Sequence, residues 1–207
     1  MSTGATLERP HVFRPPTRPG LPALLLLHGT GDDEHGLLGV GEALSPGAAL
    51  LSPRGMIDEA GLNRHFRRRR EGVFDEDDLR RRADELARFV QAATVEYGLE
   101  GPLFAVGYSN GANMAGGLLL TQPDVLAGAV LIASVPPFST PPAADLTGRR
   151  VLISNGEHDA MATQDQTRSL AEQLSAAGAQ VQVLTHPGGH QLVPEHLPAM
   201  QALVAGG

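Results

Sequence analysis

Six apolar runs of strand length punctuate the chain: Leu24–Leu27, Ala48–Leu51, Leu103–Val106, Ala127–Ile132, Val151–Ser154 and Val181–Leu184. They read as continuous rather than alternating, the pattern of strands covered on both faces. Helical patterns separate most of them. From about Asp75 to Tyr97, Leu79, Ala83, Leu86 and Val90 fall on one face. Asp75, Glu76, Asp77 and Asp78 crowd the first turn, where the helix dipole favours carboxylates, and Gly98 is a plausible stop. A second helix is expected over about Gln164 to Ala177, with Thr163 and Gln166 spaced as a capping box. Ser109–Thr121 and Glu195–Val204 read as further helices. Strands alternating with helices imply a doubly wound, mostly parallel sheet with helices on both faces. The proline-rich stretch VPPFSTPPAAD, residues 135–145, reads as a loop rather than a boundary, so one domain over residues 1–207 is expected.

Composition removes whole classes of chemistry. The chain of 207 residues has no cysteine, which excludes disulfides, a thiol nucleophile and thiolate zinc sites. All 16 basic residues are arginines, so Schiff-base chemistry on lysine is excluded as well. A net charge of −7 argues against a general nucleic-acid binder. The run LPALLLL, residues 21–27, carries a proline and is too short to span a bilayer. A buried strand explains it, and a soluble cytoplasmic protein without stable membrane association is the expectation.

The chemistry concentrates at GYSNG, residues 107–111, between an expected strand and an expected helix. Strand, G-x-S-x-G, helix is the context of a nucleophile elbow. Gly107 and Gly111 flank Ser109, and Ala112 and Ala115 keep the start of the helix thin. The Asn110 N–H lies at a helix N-terminus, where it can donate to an oxyanion. Such a serine needs an acid and then a base behind later strands. VLISNGEHDA supplies Asp159, with Glu157 as rival; QVLTHPGGHQL supplies His190, with His186 at the strand end more suited to packing. His196 is expected on the final helix, too far along. Behind the first strand, HGTG offers a second amide, that of Thr30.

HGTGDDE, SPRG, NRHFRRRREGVFDEDDL, GYSNGANMA, NGEHD and HPGGH, in this order across nearly the whole chain, resemble the phospholipase/carboxylesterase branch of the α/β-hydrolases. That branch includes acyl-protein thioesterases, bacterial carboxylesterases and hydrolases linked to hydroquinone resistance. The resemblance implies an α/β-hydrolase fold with Ser109, Asp159 and His190 as triad and the Thr30 and Asn110 amides as oxyanion hole. It implies hydrolysis of a small-molecule ester through an acyl-enzyme, with no cofactor or metal; a homodimer is left open. A thioesterase or lysophospholipase uses the same triad, and a non-catalytic binding protein on this scaffold is the reading from another class. Dienelactone hydrolases, neighbouring in fold, use cysteine at the elbow, so serine favours ordinary ester hydrolysis.

Residues 64–82 hold eight arginines and five acids, a net +3 against −10 for the remainder. Glu76/Arg80, Asp77/Arg81, Asp78/Arg82 and Asp84/Arg88 are spaced i,i+4, which reads as a solvated helix face. Arg64 and Arg67–Arg70 precede that helix. The resemblance implies that this region borders the active-site cleft and shapes the acyl or leaving-group pocket, with one arginine, Arg67 or Arg68, facing an anionic substrate group. The gap between Ser134 and Arg149 is too short for a cap domain, so an open cleft for short to medium acyl groups is expected.

Overall fold

The computed structural model describes residues 7–206. In chain order the elements are β1 (His11–Arg14), β2 (Ala23–Leu27), α1 (Leu38–Leu44), β3 (Leu50–Pro53), β4 (Ile57–Glu59), β5 (Leu62–Arg64), β6 (Arg68–Arg70), β7 (Val73–Phe74) and α2 (Glu76–Glu96), then β8 (Leu103–Tyr108), α3 (Asn110–Thr121), β9 (Gly128–Ile132), β10 (Arg150–Gly156), α4 (Gln164–Ala176), β11 (Gln180–His186) and α5 (Leu197–Ala205). Seven strands form one sheet in the order β1-β3-β2-β8-β9-β10-β11. Only β1 runs antiparallel, against β3; the other neighbours pair in parallel. This is an α/β-hydrolase fold, and no cap domain interrupts it among the described residues.

The alternation of side chains along each strand divides the core in two. Leu25, Leu27, Ala105, Leu131, Val151 and Ile153 point to one face, where α2, α3 and α4 cover them with Leu79, Leu86, Leu118 and Leu170. Leu24, Leu26, Phe104, Val106, Val130 and Leu152 point to the other, beneath α1 and α5 with Leu38, Leu44, Met200 and Val204. Both layers are apolar, which is why the strands read as unbroken runs. The exception is β11. It lies at the sheet edge with Gln180, Gln182, Val183 and Thr185 exposed, so the expectation of burial on both faces fails there. An edge strand has a neighbour on one side only, and Gln182 in its middle marks the wet side.

Helix ends follow local chemistry. Asp75 caps α2 by accepting the Asp78 N–H, and Thr163 with Gln166 forms the complete capping box of α4. The solvated-face reading of α2 holds only in part: Asp77, Arg81 and Arg88 are exposed, while the other charges are engaged. Asp78 is buried and accepts the Arg67 N–H at 2.8 Å. Glu76 accepts the Ser139 N–H at 2.8 Å, and Arg80 lies over the Phe138 ring at 4.2 Å. Asp84 accepts from Gln122. Of the four i,i+4 pairs, Asp78–Arg82 closes, at 3.5 Å, and Asp78 also pairs with Arg81. These charges anchor neighbouring loops against the helix. The long stretch before α2 contains two short hairpins, β4–β5 and β6–β7, that the sequence did not announce. The final helix begins two residues later than expected, and His196 lies in the 3₁₀ turn Pro194–His196 that precedes it.

Burial sets the expected energetics. Leu79→Ala, at a fully buried site, lowers stability by about 2–5 kcal/mol, and Val95→Ala, on the exposed side of the same helix, changes it by less than about 0.5 kcal/mol. Urea denaturation of the two variants measures the difference.

Candidate active site

The strand order reverses between β2 and β8: the chain leaves β2 toward β3 on one side and later places β8 on the other. Ligands of open α/β sheets bind beyond the carboxyl ends of strands at such a point. Leu27 ends β2 beside Gly107 near the end of β8. HGTG and GYSNG therefore emerge next to each other, although some eighty residues separate them.

At the end of β8 the chain turns directly into α3, with Ser109 at φ 52° and ψ −116°. A non-glycine residue there carries strain of about 1–3 kcal/mol. The turn is that tight because its flanks have no side chains. A Cβ on Gly111 would lie 1.9 Å from the Leu27 carbonyl oxygen, and one on Gly107 would lie 2.6 Å from the Ala112 backbone. The Ser109 N–H donates to the Ile132 carbonyl at 2.8 Å, which ties the elbow to β9.

His190 reaches the serine from beyond β11. Its Nε2 accepts the Ser109 hydroxyl at 2.9 Å, and its Nδ1–H donates to Asp159 Oδ2 at 2.6 Å. A carboxylate can only accept, so the proton sits on Nδ1 and leaves Nε2 bare to accept. Asp159 is buried, and its other oxygen takes the Met161 and Ala162 N–H groups at 2.8 and 3.0 Å. β10 and β11 pair in parallel up to Gly156 and His186, which places the two loops side by side. A Cβ on Gly156 would strike the Gly189 and Gly188 carbonyls at 2.1 and 2.4 Å, so these loops pack backbone to backbone. Glu157 points away and accepts from Thr185 at 3.3 Å. His186 is buried beneath, its ring edge-on to His196, which in turn bonds Ser154 at 2.8 Å.

The amides of Thr30 and Asn110 have no acceptor among the described residues. Both residues line a cleft of about 600 Å³ that also contains Ser109 and His190. The segment Asn63–His65 braces both amides. The Gly31 N–H donates to Asn63 O at 2.9 Å, and Arg64 Nη1 donates to the Thr30 hydroxyl at 2.9 Å. The His65 N–H donates to Asn110 Oδ1 at 2.7 Å, so the Asn110 side chain has work of its own. Arg68 lines the cleft, with Nε on both Glu59 oxygens at 3.0 and 3.1 Å and Nη1 on Glu71 at 2.7 Å. Arg67 is exposed and outside the cleft, held by its backbone to Asp78, which corrects the expectation that it borders the site.

A model of the phospholipase/carboxylesterase family matches residues 10–205. The chain belongs to this family. Among its relatives, the MhqD protein of Bacillus subtilis (strain 168) is 44% identical over 170 residues, 82% of this chain and 85% of that one. The crystal structure of the Bacillus cereus carboxylesterase is 38% identical with a TM-score of 0.91, over 94% of this chain and 92% of that one. A carboxylesterase from Mesorhizobium loti is 31% identical with a TM-score of 0.84, over 90% and 89% of the two chains. The protein is thus a hydrolase of the carboxylesterase kind. No helix among its described residues is long and apolar enough to cross a membrane.

Three features of this hydrolase escaped the sequence. Tyr108 reads as the last residue of an apolar strand, yet its hydroxyl donates to the His190 carbonyl at 2.6 Å and steadies the histidine loop. Burial, with Asp159 nearby, raises the Tyr108 pKa and keeps that proton in place. Arg64 stands out in the sequence only as one arginine of many. His28 and His65 stack inside the fold with centroids 4.5 Å apart; His28 Nε2 accepts the Gly55 N–H, and neither His65 ring nitrogen has a partner.

Burial pulls both of these imidazoles below the ordinary histidine value, His65 further, with His28 adding to the effect. Above about pH 6.5 both rings are neutral folded or unfolded, and their contribution to stability is intact. Below it the unfolded chain takes up protons that the folded rings refuse, so stability falls with pH. Replacing His65 by Gln is expected to flatten that fall below about pH 6, by at most about 1.4 kcal/mol per pH unit, read from denaturation curves. The elbow makes a separate prediction. Ser109→Gly relieves the positive φ and is expected to be about 1 kcal/mol more stable than Ser109→Ala, measured by thermal unfolding.

Proposed function

We propose that the protein is a serine carboxylesterase that hydrolyses small to medium carboxylic esters through an acyl-enzyme on Ser109. The observation that carries the reading is the unbroken chain Ser109–His190–Asp159, at 2.9 and 2.6 Å, beside two unpartnered amides in one cleft. His190 takes the Ser109 proton as the oxygen attacks the ester carbonyl. Asp159 holds the imidazole in the Nδ1–H tautomer and stabilises its charged form. The Thr30 and Asn110 N–H groups receive the oxyanion. His190 then protonates the leaving alcohol, and water, activated by the same imidazole, releases the acid. Every proton and charge in the cycle is handled by these groups, so no step calls on a metal or cofactor.

The cleft supports the stated size range. Phe74, Val135, Ala160 and Met161 give it an apolar wall, and its volume of about 600 Å³ lies in the range of small-molecule sites. A thioester carbonyl would meet the same groups, and a panel of p-nitrophenyl esters, acyl-CoA and lysophospholipid ranks the three classes by kcat/KM. The expected order places the short and medium esters first.

Stoichiometric labelling of Ser109 by a fluorophosphonate is expected in the wild type. Ser109→Ala abolishes labelling and lowers kcat by at least about 10³-fold. Asp159→Asn, which no longer enforces the tautomer, lowers kcat by about 10³–10⁴-fold. Folded wild-type protein that takes no label would rule the reading out.

A further inference from the structure

The acyl-transfer steps leave three charged residues that line the cleft unused, Arg64, Arg68 and Glu71, and Arg64 is the most deeply buried of them. The Arg64 side chain is only 5% exposed, yet it lines the same cleft as Ser109 and Thr30. Its Nε donates to the Phe66 carbonyl at 3.2 Å and its Nη1 to the Thr30 hydroxyl at 2.9 Å. Nη2 has no acceptor among the described residues and is not sealed from solvent, so its donors are open to the cleft. The nearest carboxylate, Glu59, stands 3.6 Å from Nη1 and is already engaged on both oxygens by Arg68. Arg68 also reaches Glu71 through Nη1, so Glu59 and Glu71 are both shared with this partly exposed arginine. Arg64 is therefore a nearly buried guanidinium with half a counter-ion and a free fork arm. Burying a cation without its own partner is costly, and burial pulls its pKa below the ordinary arginine value.

The place of this cation decides which part of an ester would meet it. Under the proposed mechanism the leaving oxygen must lie against His190 Nε2, while the carbonyl oxygen lies against the Thr30 N–H. Arg64 is fastened to Thr30, on the carbonyl side. A guanidinium there matches a planar anionic oxygen pair a few bonds from the scissile carbonyl. We propose, on the reading of Ser109 as an ester nucleophile, that Arg64 binds a carboxylate on the acyl portion and that the cleft selects monoesters of short dicarboxylic acids. The reaction itself is unchanged: water adds to the acyl carbon, the alcohol leaves with a proton, and the product is the free dicarboxylate.

A matched pair of substrates tests this. Ethyl hydrogen glutarate and ethyl pentanoate have acyl chains of equal length and differ in a terminal carboxylate against a methyl. Ester cleavage is followed by ethanol release. Wild-type kcat/KM is expected to favour the glutarate monoester by roughly tenfold or more, chiefly through KM, and the preference shrinks as salt is raised. Arg64→Gln keeps a donor for Thr30 but removes the charge, and is expected to lower kcat/KM at least about tenfold more on the glutarate monoester than on the pentanoate. Because Arg64 is buried, a wild-type measurement stands beside the variant: free glutarate inhibits pentanoate hydrolysis competitively, more strongly than butyrate does. Equal or lower wild-type activity on the glutarate monoester overturns the proposal. So does an equal loss on both esters in the variant, the mark of an arginine that only holds Thr30. If neither ester is cleaved and Ser109 takes no fluorophosphonate, the esterase reading itself falls and this proposal with it; activity on pentanoate without the preference sinks the Arg64 assignment alone.

Discussion

The site depends on one close approach. At Gly111 the start of α3 comes so near the end of β2 that a single Cβ would sit 1.9 Å from the Leu27 carbonyl oxygen. That approach forces the turn at Ser109 into a positive φ, which lifts its hydroxyl above the sheet toward His190. It also brings the Asn110 N–H alongside the HGTG loop, because Leu27 leads directly into His28 and Gly29. Widening it by one methyl group would disturb the proposed nucleophile and both proposed oxyanion donors together. The strain at Ser109 persists because the surrounding sheet and helix over-determine the turn.

The neighbouring loops are held by polar contacts rather than by apolar burial. Asp159 is anchored by two amides, and Tyr108 fastens the His190 carbonyl to the serine strand. Asn155, buried under the site, joins the Ser134 backbone to Thr167 of α4. Each of these contacts satisfies a buried group that would otherwise be costly. The His65 ring is one of several buried groups left unsatisfied, with both nitrogens unpartnered, and its neutrality is what makes that tolerable.

The β4–β5 and β6–β7 hairpins wall one side of the cleft with Arg64, Arg68 and Phe74. They turn an arginine-rich stretch, which in the sequence reads as a block of positive charge, into a wall with assigned partners. Arg68 is absorbed by Glu59 and Glu71, while Arg67 and Arg70 lie on the outside. Arg64 turns inward, nearly buried and without a carboxylate of its own. Charge counting along the chain cannot make that distinction, since it depends on which strand of a three-residue hairpin faces the cleft.

The sequence by itself determined the sheet, most helix boundaries and the residues that meet at the elbow. Those features are written in local signals: unbroken apolar runs, a capping box, glycines flanking a serine, and an acid and a histidine each behind a later strand. The edge exposure of β11, the antiparallel β1 and the two hairpins were decided by tertiary structure, because short strands carry too little periodicity to announce their neighbours. The same holds for the choice of Arg64 over Arg67 and Arg68, the second role of Asn110, and the neutral His28–His65 pair. Each depends on contacts between segments far apart in the chain, and such contacts exist only once the sheet has brought those segments together.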